Sequence, residues 1–221
     1  MVGDRELVAR LLIDIGAPHF FTDKPFVFTS GTISPVYVDL RKLISFPKHR
    51  KAIMAVATAL CTSVFETDHI DVVAGGETAG ISYAAWLSNE LNLPMIYVRK
   101  QPKGFGRKSQ IEGDLKPGQH VLLIEDLMFD AQSKLNFAEV IRQEGARIGH
   151  TVVVFDYGTA VSRQKLASAN MQVHGLTDWT HLLKVGEERG YFSPEQAREI
   201  RLFLADPAAW GTNWKQQHPE S

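Results

Sequence analysis

The stretch that decides the fold is Val121-Leu122-Leu123-Ile124-Glu125-Asp126-Leu127-Met128-Phe129-Asp130-Ala131-Gln132-Ser133-Lys134. Its first four residues have the length and content of a buried strand. Two adjacent carboxylates, Glu125 and Asp126, follow where that strand is expected to end. A short loop comes next, closed by Ser133, whose hydroxyl is suited to cap an amphipathic helix over residues 134–144. A strand, a tight loop and a helix N-terminus together make an anion site, because free backbone N–H groups and the helix dipole point into the loop. Carboxylates do not suit that anion. They suit sugar hydroxyls, or a metal that accompanies a polyphosphate. The stretch therefore reads as a site for a phosphorylated sugar. Acidic strand ends are also common as solvated ends in α/β folds, so this stretch alone does not settle the chemistry.

The chain has 221 residues, enough for one sizeable core or one domain with a small appendage. Hydrophobic content of 44% and charged content of 22% are ordinary for a globular protein. A net charge of −1 gives no global field favouring nucleic acid or an acidic membrane. The single cysteine, Cys61, excludes an intramolecular disulfide and a cysteine metal cluster. It falls in a helical pattern and reads as a small core residue. The eight histidines show no metal-ligand spacing. Residues 1–10 contain no apolar signal core, and no run approaches about 18 apolar residues, so a cytoplasmic protein is the expectation.

The order of elements places three loops at strand ends. Asp4 is positioned to cap a first helix with Leu7, Val8, Leu11, Leu12 and Ile15 at helical spacing, and Gly16 stops it. Phe26–Phe28 and Val36–Val38 read as the arms of a hairpin, turned by Thr29-Ser30-Gly31-Thr32. Pro47 opens a helix striped by Ile53, Val56, Ala57, Leu60 and Val64. A strand over 70–74 runs into Gly75-Gly76-Glu77-Thr78-Ala79-Gly80 and a helix to about residue 91. Strand 95–98 leads to Arg99-Lys100-Gln101-Pro102-Lys103-Gly104-Phe105-Gly106-Arg107-Lys108, in which five of ten residues are cationic. Pro and Gly forbid a regular helix there. A solvated basic loop and a mobile arm that closes over a polyphosphate both fit. After the central stretch come a strand over 151–157, a helix over 161–169 and an outer strand over 171–173. Ser193-Pro194-Glu195-Gln196 has the form of a capping box, opening a helix that ends before Pro207. Strands alternating with helices predict an α/β fold, a parallel sheet flanked by helices with ligands at the carboxyl ends of the strands.

Three motifs in order resemble the orotate phosphoribosyltransferases, a type I phosphoribosyltransferase family. Glu125-Asp126 and the following loop resemble its signature for phosphoribosyl diphosphate (PRPP). The string FTSGTISPVYVD over 28–39, followed by Arg41, resembles its N-terminal hood segment. The basic run, continued by Gln110-Ile111-Glu112-Gly113, resembles its catalytic loop. The resemblance implies one domain, with a hood over about 1–40, a core over about 46–175 and C-terminal helices over about 177–214. It implies transfer of ribose 5-phosphate from PRPP to orotate with Mg²⁺, in a homodimer whose basic arm reaches the neighbouring subunit. Nucleic acid and membrane are not implied as partners. Lys100, Lys103 and Arg99 would stabilise the leaving pyrophosphate. Glu125, Asp126, Phe129, Asp130, Ala131, Gln132, Ser133, Glu77 and Thr78 would bind PRPP, and Asp126 could also touch the metal, which otherwise arrives with PRPP. Ser34, Pro35, Val36, Tyr37 and Tyr157 would face the base. Several positions depart from the family. Phe129, Ala131 and Gln132 stand where Thr or Ser and Gly are usual, and Thr29 and Phe105 stand for Lys and His. The lysine common in the Gly75–Gly80 loop is absent, and Tyr157 stands for an Arg. A catalytically impaired regulator of the same fold, binding PRPP or a nucleotide, is the alternative.

Overall fold

The computed structural model describes residues 2–21, 23–28, 30–65, 69–102 and 110–218. Contacts gather them into two compact units, one of residues 1–43 with 177–221 and the other of 44–176.

The first unit opens with α1 (Val2–Asp14), which buries Val8, Ala9, Leu12 and Ile13. Asp4 lies in its first turn rather than ahead of it. Gly16, at φ +60°, ends the helix with its N–H on Ile13 O. Four short strands follow: β1 (Pro18–Phe20), β2 (Phe26–Val27), β3 (Ile33–Ser34) and β4 (Val36–Val38). The simple hairpin expected from the sequence is split. β2 pairs with β3 and β4 pairs with β1, both antiparallel. The split falls at Ser34-Pro35. The Ser34 hydroxyl donates to Val36 O at 2.7 Å and accepts from Val36 N at 3.1 Å, while Pro35 has no N–H to continue a ladder.

After a 3-10 segment (Leu40–Ser45), the second unit runs α2 (Pro47–Val64), β5 (Val72–Gly76), α3 (Ala79–Leu91), β6 (Met95–Val98), β7 (Ile111–Glu112), β8 (His120–Met128), α4 (Gln132–Gln143), β9 (Arg147–Asp156), α5 (Ala160–Ser168) and β10 (Gln172–Asp178). The strands form one sheet in the order β10-β9-β8-β5-β6-β7. β5 is parallel to β6 and β8, and β8 to β9; the edge strand β7 runs antiparallel to β6. Val72–Ala74, Val121–Ile124 and Val152–Phe155 are all buried, as expected of strands covered on both faces. α3 packs on β5, β6 and β8, and α4 on β5, β6, β8 and β9. Cys61, on α2, is buried, and burial pushes its thiol up to about 12.

Two boundaries differ from the sequence expectation. β8 does not stop at Ile124 but pairs with β9 as far as Met128 opposite Asp156, so the two carboxylates lie within the strand. Gly75 and Gly76 are the end of β5 rather than a loop. α3 sits so close that a Cβ on Gly75 would collide with the backbone carbonyl of Gly80.

Returning to the first unit, the chain ends in α6 (Trp179–Glu188), α7 (Pro194–Ala205) and α8 (Pro207–Gln217). Ser193 and Gln196 make the reciprocal capping box read from the sequence. Trp210 is buried with its edge on Phe203 and its indole N–H on Glu199. Among the described residues no helix is long and apolar enough to cross a membrane.

Candidate active site

The carboxyl ends of β5, β8 and β9 lie side by side, with Gly75 in register with Ile124 and Met128 with Asp156. The residues that cap the helices after β5 and β8 offer them no side-chain acceptor, and among the first-turn N–H groups of α4 that of Gln132 is taken by Asp130. Neither Thr78 before α3 nor Ala131 before α4 makes a side-chain cap hydrogen bond. By contrast, Thr159, Asp178, Ser193 and Asp206 cap α5, α6, α7 and α8. An uncapped N-terminus keeps first-turn N–H groups available for an anion.

Ser133 is not the cap expected from the sequence. The helix begins one residue earlier, at Gln132, so Ser133 lies in its first turn, where its hydroxyl accepts from Lys134 Nζ at 3.3 Å. Asp130 Oδ1 accepts from Gln132 N at 3.0 Å. The cap itself is Ala131, at φ 63° and ψ −5°. The turn needs a left-handed residue, and this chain uses alanine. The conformation costs a non-glycine residue roughly 1–2 kcal/mol. Against that, Ala131 is 1% exposed in the core cluster, and losing its methyl costs about 0.8 kcal/mol, with a further 0.4–1 kcal/mol from unfolded-state entropy. The effects nearly cancel. Ala131→Gly should leave stability within about 0.5 kcal/mol of wild type in urea unfolding, and a loss well beyond that would mean that methyl packing outweighs strain.

Phe129 is held by its surroundings. Its ring meets Tyr157 edge-on at 5.3 Å, and its carbonyl accepts from the Thr159 hydroxyl at 2.7 Å. Tyr157 N donates to Met128 O at 2.9 Å. Behind them, buried Asp156 accepts from Gly158 N at 2.8 Å and from the Arg163 guanidinium. The loop after β8 is thus tied to the loop after β9. Thr159 and Arg163 were not legible as site residues; their only sequence signal is a polar residue just past a strand end and one at the following helix start.

Glu125 and Asp126 part company. Asp126 is half-buried, and its Oδ1 accepts from Leu127 N at 2.8 Å. Glu125 is 6% exposed, with Oε1 accepting from Gly76 N at 3.0 Å and Oε2 from Lys134 Nζ at 3.1 Å. Burial pushes the Glu125 carboxyl up to about 7, against the opposing effect of Lys134 and the Gly76 N–H. Lys134 is 4% exposed and also donates to Leu127 O at 2.6 Å.

Of the basic run, Lys100 N donates to Glu77 Oε2 at 2.9 Å, which joins two predicted site residues. Thr78 is exposed at the start of α3. The Arg99 guanidinium leans on Glu112 of β7 at 3.6 Å. Lys103, Phe105 and Thr29 lie outside the described residues. Ser34, Pro35 and Val36 are buried in the other unit, where Tyr37 stacks on Phe26 at 4.1 Å.

A profile of the phosphoribosyl transferase domain matches residues 46–172. The chain is 45% identical over 205 residues to an orotate phosphoribosyltransferase of Dinoroseobacter shibae, covering 92% of this chain and 91% of that one. It is 46% identical to the one from Ruegeria sp., covering 92% and 91%. Among solved structures, Aeropyrum pernix orotate phosphoribosyltransferase aligns with a TM-score of 0.69 at 28% identity, over 84% of this chain and 99% of that one. Leishmania donovani UMP synthase aligns with a TM-score of 0.76 at 27% identity, over 90% of this chain but 42% of that longer protein. With that identity along nine-tenths of its length, and the mostly parallel sheet its sequence implied, the chain belongs to the orotate phosphoribosyltransferase family.

Proposed function

We propose that the chain transfers ribose 5-phosphate from PRPP to orotate, giving orotidine 5′-phosphate and pyrophosphate. The observation that carries this reading is the pair of helices on neighbouring strands, α3 and α4, whose N-termini lack side-chain caps, with the half-buried Asp126 carboxylate near the end of β8. A substrate with phosphate at both ends and hydroxyls between them matches that order of groups. The 5′-phosphate goes to the loop over 129–133 and the first turn of α4. The pyrophosphate goes to Glu77, Thr78 and the first turn of α3. Asp126 accepts from the ribose hydroxyls.

In the reaction the bond from ribose C1 to pyrophosphate breaks and a bond from C1 to a base nitrogen forms. Positive charge develops on the ribose ring and negative charge on the leaving group. Asp126 stabilises the first, while Lys100, Lys103 and the N–H groups of α3 stabilise the second. Arg99 joins them when it leaves Glu112. Tyr157 offers a ring to the base. Magnesium fits as a companion of the substrate. Among the described residues no three His, Cys, Asp or Glu side chains cluster as a metal set, and Asp126 has one oxygen beyond that engaged by Leu127 N. Bound with PRPP, the ion would neutralise charge on the pyrophosphate. The reading includes a homodimer, supported by the basic loop's likeness to an arm that serves a neighbouring subunit.

Supplying PRPP, magnesium and a panel of bases should release pyrophosphate with orotate. Substitution of the loop by Phe129 and Gln132 favours a second reading, a PRPP-binding regulator. PRPP binding without pyrophosphate release from any base would establish that reading instead.

A further inference from the structure

Glu77 opens the loop assigned above to pyrophosphate, yet a carboxylate repels that anion. The structure gives its side chain another partner. Gly76 is in register with Val98, the last residue of β6, so Glu77 stands opposite Arg99. In a parallel ladder a residue bonds to the two neighbours of its opposite number. Its N–H goes to the carbonyl of the one before, and its C=O accepts from the N–H of the one after. Glu77 makes the first bond in the ordinary way, with its N donating to Val98 O at 2.8 Å. The second is made by the side chain: Lys100 N donates to Glu77 Oε2 at 2.9 Å. The carboxylate thus takes the place of a backbone carbonyl. The ladder reaches Lys100, while the backbone after Glu77 turns into α3, which starts at Ala79. On the other flank Arg99 N donates to Gln110 O at 2.7 Å, and Gln110 Nε2 donates to Arg99 O at 3.0 Å. The start of the basic run is held from both sides.

We infer that Glu77 is a positioning residue: its carboxylate fixes the backbone of Lys100 beside the pyrophosphate loop and touches neither PRPP nor its metal. The inference rests on the reading proposed above. Glu77 then serves the leaving group only through the cation it holds in place. What the role requires is an oxygen that accepts from Lys100 N, and the charge on that oxygen is secondary. An amide oxygen can do the same, and a methyl group cannot.

The test is a double-mutant cycle on the full chain, with PRPP, magnesium and orotate. Glu77→Ala should lower kcat about tenfold, the effect of displacing a charge that acts in the transition state. Lys100→Ala should lower it at least as much. Adding Glu77→Ala to Lys100→Ala should then cost no more than about twofold, because no ammonium is left to position. Glu77→Gln should recover most of the turnover lost in Glu77→Ala and need no more magnesium than wild type. Wild-type turnover in Glu77→Ala would overturn the inference. So would losses that multiply in the double variant, since Glu77 would then act independently of Lys100. A Glu77→Gln variant as slow as Glu77→Ala would overturn it too, and a raised magnesium requirement in that variant would place the carboxylate on the metal. Should Glu77→Ala fail to fold, Glu77→Gln decides alone, by turnover against wild type and by magnesium requirement. Wild type that releases no pyrophosphate overturns the reading of the whole site. An active wild type with any of the failures above overturns the positioning role alone.

Discussion

Replacing Gly80 by alanine should cost about 3–5 kcal/mol and lower the melting temperature by roughly 10 °C. The new Cβ would collide with Glu125 Oε1 and lie 3.0 Å from Ile124 O, a backbone atom in the middle of the sheet. Relief could come from the sheet or from the carboxylate. Overpacking that bends a close-packed core costs about 1–3 kcal/mol. Moving Glu125 costs more, because it separates a carboxylate and an ammonium that are 6% and 4% exposed. Gly149→Ala is the matched control: its Cβ would meet only Asn170 O, at 3.9 Å. Thermal unfolding of the two variants measures the difference. Equal melting temperatures would mean that Glu125 has slack the packing does not suggest.

Asp126→Asn should weaken PRPP ten- to a hundredfold while hardly changing stability. Hydrogen bonds from hydroxyls to a charged acceptor contribute about 1.5–3 kcal/mol. Asparagine keeps an oxygen for Leu127 N, the one backbone bond made by Asp126 Oδ1, so the strand end should hold its shape. Calorimetric titration of PRPP with magnesium checks the result. Undiminished affinity would remove Asp126 from the ribose.

Which of these features the sequence disclosed depends on how local each was. The strand–loop–helix order around 121–134 and the acidic pair were legible, because burial of Val121–Ile124 and the amphipathic face of α4 are local patterns. The end of β8 was not, since its last residues are held by pairing with β9, a partner distant in the chain. The same limit hid the exchange of partners among β1 to β4, where Pro35 interrupts what looks like one arm. Lys134 was missed although a signal exists. It shares the buried stripe of α4 with Phe137, Ala138 and Ile141, at spacings of three, four and seven. A lysine there demands a buried partner. That Glu125 rather than Asp126 supplies it follows from strand alternation, which turns successive side chains to opposite faces. The departures at 129 and 131 were visible as departures. Their accommodation, an aromatic contact with Tyr157 and an alanine in a glycine's conformation, needed coordinates.

Cys61 has a practical consequence. The only thiol in the chain is buried on α2 and held almost wholly in its protonated form, so it is a poor nucleophile towards maleimides or disulfides. Cysteines introduced at exposed positions will therefore be labelled over a silent background. A fluorophore attached at Glu139, exposed on α4 beyond the loop proposed for the 5′-phosphate, would report ligand capture in real time without any prior deletion of native sulfur.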